Sequence, residues 1–252
     1  MQLENLKKDY LQNVILENEI CEKHKQRLVT VKRTNYTVCP RCHTEQQQKI
    51  AEDLALKSYL LEQKKKREYF LKEFSLYDSE LAEASFNNFE AKTRAQKEDL
   101  DFATQQTADY KSGKVGNVVL IGDVGVGKSH LAYSMIKELT KDSDKTAAFV
   151  NVVDLLAKLK ADFQSESDYV YRLNDLDYLI LDDLGTEKIS EWSAGIIYSI
   201  LNARDKTIIT TNLEPKFLAQ KYGKRLYSRI FKGSTKKDVY RMQNQKDERI
   251  KF

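Results

Sequence analysis

The octapeptide GDVGVGKS, Gly122 to Ser129, constrains this chain more than any other stretch. It satisfies G-x-x-x-x-G-K-[ST], follows the β-branched run NVVLIGD and opens the helical pattern of KSHLAYSMIKELTK. A strand, a glycine-rich turn and a helix in that order form an anion cradle. Gly125 and Gly127 let backbone N–H groups turn inward around a phosphate, while the positive end of the following helix points at the same charge. Gly122, Asp123, Val124, Gly125, Val126, Gly127, Lys128, Ser129 and His130 are therefore expected to bind ATP. Lys128 would bridge the β- and γ-phosphate oxygens, and the Ser129 hydroxyl is placed to hold Mg²⁺.

Downstream, YLILDDLG is an apolar strand that ends in two acids, and such ends lie at the carboxyl edge of a parallel sheet, where ligands bind. Asp182 is expected to hold Mg²⁺, directly or through water, and Asp183 to polarise an attacking water. TIITTN ends a further strand in Asn212, whose amide would orient that water or touch the γ-phosphate, unless it is only a turn residue. From about residue 117, short strand-like runs alternate with helical stretches, which predicts a parallel α/β sheet.

The region before it has another character. CEKHKQRLVTVKRTNYTVCPRCH, Cys21 to His43, holds all three cysteines and two of the three histidines. An odd cysteine count makes a poor disulfide framework, whereas Cys21-x₂-His24 and Cys39-x₂-Cys42 are spaced as two metal knuckles. Together they make a Cys₃His set for tetrahedral Zn²⁺, with no open position and hence a structural role. His43 is the rival fourth ligand. Leu3, Leu6, Tyr10 and Val14 recur at helical spacing and predict a short helix before the cluster. From Thr44 to about Phe74 no Pro or Gly interrupts a long helix, either a connector or a partner for another helix. The pattern changes after Ser75, which divides the chain into 1–78, a zinc-binding and helical region, and 79–252, the nucleotide-binding domain.

No apolar run approaches the roughly 18 residues of a membrane span, and MQLENLKKDY lacks the apolar segment of a secretory signal, so a cytoplasmic protein with no membrane partner is expected. The net charge is +4, but Lys221 to Phe252 carries 11 Lys and Arg against 3 Asp and Glu, a surplus able to meet phosphate.

GDVGVGKSHLA, LILDDLG, TIITTNL and RLYSRI, in that order and preceded by ASFNNF at Ala84 to Phe89, resemble the ATPase domain of the DnaC/DnaI group of AAA+ helicase loaders. The resemblance runs from about Ser79 to the end. It implies an α/β P-loop AAA+ domain with a parallel five-stranded sheet and no C-terminal lid, preceded by a small helical zinc-binding domain as in DnaI-like loaders. It also implies self-association into a ring or spiral, and delivery of a hexameric replicative DNA helicase onto single-stranded DNA during replication initiation. ATP hydrolysis to ADP and phosphate would be slow until subunits assemble. Arg229 of RLYSRI matches the arginine finger that reaches a neighbour's ATP, with Arg225 a helper or a surface charge. Only 23 residues follow Arg229, too few for a helical lid, which leaves Arg249, or less favourably Arg241, as a second sensor. The long crossover VDLLAKLKADFQSESDYVYRLND offers Lys158, Lys160, Phe163, Tyr169 and Arg172 to single-stranded DNA, although Leu155, Leu156, Leu159 and Phe163 also make a core-like face. The cysteine cluster points away from the related IstB transposition helpers. An IstB-like helper ATPase and a non-hydrolysing ATP-switch adaptor for a helicase are the alternatives.

Overall fold

A computed structural model describes residues 13–75, 79–141, 143–162 and 164–242. The chain forms two compact units, 1–63 and 64–252.

In the first unit, β1 (Val14–Ile20), β2 (Arg27–Val31) and β3 (Tyr36–Val38) form an antiparallel sheet in that order. Val14 pairs with Val31, and Val29 with Val38. Val14 therefore starts a strand and does not extend a helix; Leu3, Leu6 and Tyr10 lie outside the described residues. The β-branched residues Val14, Val29, Thr30, Val31, Thr37 and Val38 suit a pleated surface, and that preference with cross-strand pairing overrides the helical spacing. The module ahead of the long helix is thus a small sheet. α1 (Pro40–Phe74) follows, with proline at its first position, where no N–H is needed. Its Leu54, Leu56, Leu60 and Leu61 are all more than half exposed.

The second unit contains α2 (Ser79–Ala82), a 3₁₀ turn (Phe86–Asn88), α3 (Arg94–Lys111), β4 (Val118–Ile121), α4 (Lys128–Thr140), β5 (Ala147–Asn151), α5 (Val152–Ala161), α6 (Glu166–Asp175), β6 (Tyr178–Asp182), α7 (Glu191–Ala203), β7 (Thr207–Thr211), α8 (Pro215–Ile230) and β8 (Val239–Arg241). The five strands are parallel, in the order β5-β6-β7-β4-β8. Strand residues alternate between two apolar layers. Val118 and Leu120 pack with α3 and α4, whereas Val119 and Ile121 pack with α5 to α8. With both faces covered, the central strands read as continuous apolar runs, and each fully buried Leu or Ile contributes about 1.5–3 kcal/mol.

Strand order positions the site. From β4 the chain crosses through α4 to the far edge strand β5, and from β7 it crosses back past β4 to β8. The carboxyl ends of β4, β7 and β6 are left side by side at the point where the winding reverses, where open α/β sheets take ligands.

Candidate nucleotide and metal sites

β4 is buried throughout and delivers the chain into the Gly122–Ser129 loop. Gly125 and Gly127 have φ of +82° and +92°, in the left-handed region that glycine reaches without strain. Gly127 is also the N-cap of α4, and a Cβ there would lie 2.7 Å from the Phe89 ring. Phe89 stacks edge-on against His130 with centroids 5.4 Å apart, and His130 Nε2 donates to the Ser85 carbonyl at 2.9 Å. The segment ASFNNF thus braces the loop from outside. Val126 anchors the loop in the core, Val124 and Asp123 are exposed, and Lys128 is 5% exposed with Nζ donating to the Asp123 carbonyl at 2.7 Å.

The first turn of α4 and the strands β6 and β7 converge on one carboxylate. Ser129 Oγ donates to Asp182 Oδ1 at 2.8 Å, and Thr210 Oγ1 donates to the same oxygen at 2.7 Å. Asp182 is 5% exposed, and burial, then the charge of Asp183, push its pKa up from 3.8 to about 6 despite those two hydrogen bonds and Lys128. A carboxylate held at such cost beside a hydroxyl is a hard oxygen pair that fits Mg²⁺, and the N–H-rich loop at a helix start fits a polyphosphate. Asp183 has φ +55° and its N–H donates to Thr210 Oγ1 at 2.9 Å, which turns the chain sharply away from the strand line. Asn212 follows β7, and its buried Oδ1 has no hydrogen-bond partner among the described residues. Thr210 was not foreseen, although alternation along TIITTN places it on the face of Asn212.

On α8, Arg225 and Arg229 both face Tyr198 of α7, with guanidinium carbons 4.2 and 5.9 Å from the ring centroid. Hydrogen bonds from Arg225, then Arg229, hold the Tyr198 phenol below the usual tyrosine range. Arg229 Nε is buried and has no hydrogen-bond partner among the described residues. Arg241 pairs with Glu214 at 2.7 Å, while Arg249 lies outside the described residues. Among the crossover candidates, Tyr169 is buried, donates to the Phe74 carbonyl at 3.2 Å and is covered by Lys158 at 4.6 Å, an arrangement that suits packing and not base stacking. Arg172 pairs with Asp168 on the surface, Lys160 is exposed, Phe163 lies outside the described residues, and Leu155, Leu156 and Leu159 are core.

In the first unit, the ligand atoms of Cys21, His24, Cys39 and Cys42 lie within 4.8 Å of one another. Cys21 and Cys42 Sγ are 3.7 Å apart, and His24 Nδ1 is 3.9, 3.5 and 3.3 Å from the sulfurs of Cys21, Cys39 and Cys42. Tetrahedral zinc with Zn–S near 2.3 Å and Zn–N near 2.0 Å has edges of roughly 3.5–3.8 Å; the four distances above lie close to that range, and the Cys₃His chemistry of the set fits Zn²⁺. Two local turns make it. Lys25, at φ +51°, folds the loop after β1 with its N–H on the Cys21 carbonyl, and Cys39 and Cys42 flank the first residues of α1. His24 Nε2 donates to Glu45 Oε1 at 2.9 Å, which leaves Nδ1 for the cluster, and Gln26 Nε2 donates to Cys39 Sγ at 3.0 Å. His43 is exposed and stands outside the cluster.

Parts of this chain are similar to known proteins. The chain is 26% identical over 159 residues to the replicative helicase loader DnaC of Escherichia coli (strain K12), a stretch covering 60% of this chain and 64% of that protein. The match therefore spans less than two thirds of the relative's own length. The crystal structure of the DnaC helicase loader superposes with a TM-score of 0.58 at 24% identity, covering 66% of this chain and 100% of that one. The structure of DnaI gives 0.57 at 22% identity, covering 69% and 95%. Both likenesses show a shared fold. The model of the IstB-like ATP binding proteins matches residues 46–243, more than half of the chain and the whole run of elements from the phosphate loop to β8, and the chain belongs to that family.

Proposed function

We propose that this protein is an ATP-dependent loader of a replicative DNA helicase onto single-stranded DNA. The carrying observation is the convergence of Ser129, Asp182 and Thr210 beside a glycine cradle, in a chain whose relative DnaC is a replicative helicase loader. The loop N–H groups and Lys128 bind the phosphates, and Ser129 and Asp182 would hold Mg²⁺, which when bound would offset charge on the phosphoryl oxygens. Asp183 takes the proton of the attacking water, Asn212 orients that water, and the products are ADP and phosphate. Arg229 completes the site of a neighbouring subunit in a ring or spiral. The region 1–78 holds the hexameric helicase and 79–252 carries the ATPase, with Zn²⁺ on Cys21, His24, Cys39 and Cys42 shaping the former.

The test combines co-purification with a hexameric replicative helicase and ATP turnover on single-stranded DNA. Helicase association is expected, with turnover that rises on assembly and falls by about 10³-fold or more in Arg229→Ala. Absence of helicase association under every nucleotide condition overturns the loader reading. Filaments on duplex DNA with stimulation of a transposase would instead support the IstB-like helper suggested by the family description. Helicase activation that survives Asp183→Ala would make the protein a non-hydrolysing adaptor.

A further inference from the structure

Glu187 is a buried acid that the proposed chemistry does not use. It is 4% exposed and lies five residues beyond Asp182, on the loop between β6 and α7. Its Oε2 accepts the Gly185 N–H at 2.8 Å, and its Oε1 accepts the Tyr222 hydroxyl, which comes from α8. Burial, then Glu187 itself, raise the Tyr222 phenol far above the usual tyrosine range, so this hydroxyl stays protonated and donates. The preceding residue adds two more ties, because Lys221 Nζ donates to the carbonyls of Gly185 and Glu187, each at 2.7 Å.

The other end of the loop is tied to the acids and to β7. Leu184 N–H bonds the Thr210 carbonyl at 2.9 Å, and Thr211 Oγ1 bonds the Leu184 carbonyl at 2.6 Å. Gly185 has φ +108°, and a Cβ there would meet Leu213 at 2.7 Å. The segment from Asp183 to Glu187 is therefore clamped from both sides and has little room to move without moving α8.

α8 is jointed at the next residue. Gly223 adopts φ +69° and ψ 169°, which interrupts the helix, and a Cβ there would meet nothing within 4 Å. The break is thus one of backbone conformation and not of close packing. The half before the joint carries Lys221 and Tyr222. The half after it carries Arg225 and Arg229 over Tyr198.

We propose that Glu187 and Tyr222 are positioning residues that couple the Asp183 loop of one nucleotide site to the arginine-bearing segment offered to the next subunit. Displacement of the loop by phosphate pulls on Tyr222 and Lys221, and the Gly223 joint turns that pull into a reorientation of residues 224–230. The inference rests on the ATPase reading and adds to it a defined route between a subunit's own nucleotide and its outgoing arginine.

The experiment is hydrogen exchange on the full-length protein with and without ATPγS, paired with steady-state turnover of the assembled protein, for wild type, Tyr222→Phe and Glu187→Gln. Tyr222→Phe keeps the ring and removes only the donor. In wild type, nucleotide changes the exchange of peptides spanning 224–231. In both variants that change is lost, nucleotide affinity stays within about twofold, and kcat falls by about tenfold with KM unchanged, the pattern of a lost transition-state contribution. A nucleotide response at 224–231 that is absent in wild type, or that persists in both variants, overturns the coupling. So does its loss together with nucleotide binding, which would make the pair merely structural. The exchange measurement needs binding but no turnover. A normal response in a protein whose turnover ignores Arg229→Ala would sink the trans arginine and leave the coupling intact.

Discussion

The two candidate ion sites are built on opposite lines. Cys21, His24, Cys39 and Cys42 surround one point with four soft or borderline donors and leave no ligand position open. Ser129 and Asp182 bring together two hard oxygens, which would leave the remaining positions of a bound Mg²⁺ to phosphate and water. The first set sits in a unit whose described buried residues are few, Val29, Thr30 and Cys39 among them. The second sits above a sheet covered on both faces. On the proposed reading, a metal would stabilise the fold where the core is small, and the large core would hold a destabilising carboxylate ready where a metal serves chemistry.

The largest effect that can break this contrast is loss of the closed site. Cys42→Ser, or chelation, should unfold the 13–63 module, since structural zinc contributes on the order of 10 kcal/mol in small domains. The expected outcome is loss of amide protection in that module and of helicase binding, with affinity for a fluorescent ATP analogue changed less than about twofold. An intact module without metal would show that the donors are only a thiol cluster.

Asp182→Asn should act in the other direction. The folded-state pKa of Asp182, about 6, lies above its ordinary 3.8, so the nucleotide-free fold holds this proton more tightly than the unfolded chain does. Stability from this group is present below about pH 4 and is lost as pH rises to about 6, a difference on the order of 3 kcal/mol. The amide keeps an acceptor for Ser129 and Thr210. Asp182→Asn should therefore stabilise the nucleotide-free protein by about 2–3 kcal/mol at pH 7.5 and hardly at all at pH 4, while abolishing turnover. Denaturant titrations at the two pH values measure it, and equal effects at both would refute the buried-charge explanation.

Glu45→Gln sharpens the comparison at smaller scale. Loss of the carboxylate behind His24 should weaken zinc affinity by roughly 10–100-fold, read by competition with a chromogenic chelator, without unfolding the module at saturating zinc. No change would leave Glu45 as only a surface partner of Lys23.

Local chemistry made much of this legible. The long helix from about residue 44, the strands at NVVLIGD, TAAFVNV, YLILDDLG and TIITTN, and the Cys₃His set all follow from spacing and residue type, and the structure contains each of them. The front end was less legible. Val14 fits a helical period, yet pairs with Val31 in a sheet, because a partner seventeen residues away, brought back by the turn between β1 and β2, decides that contact. Tyr169 has the chemistry of a base-stacking residue, but Phe74, distant in sequence, lies 5.2 Å from its ring and buries it.

By itself the sequence determined where the candidate phosphate loop and the candidate zinc ligands lie, because a glycine turn, a helix start and a Cys-x₂-Cys knuckle are made by neighbours along the chain. Only the tertiary structure decided which groups meet. It chose His24 over His43, because a turn at Lys25 aims the first ring inward and the helix leaves the second on the surface. Insertion of β7 between β4 and β6 put Thr210 beside Asp182, and packing of α8 against the acid loop joined Tyr222 to Glu187. Those contacts depend on strand order and helix docking, which are fixed by burying two apolar layers at once and by no local stretch of residues.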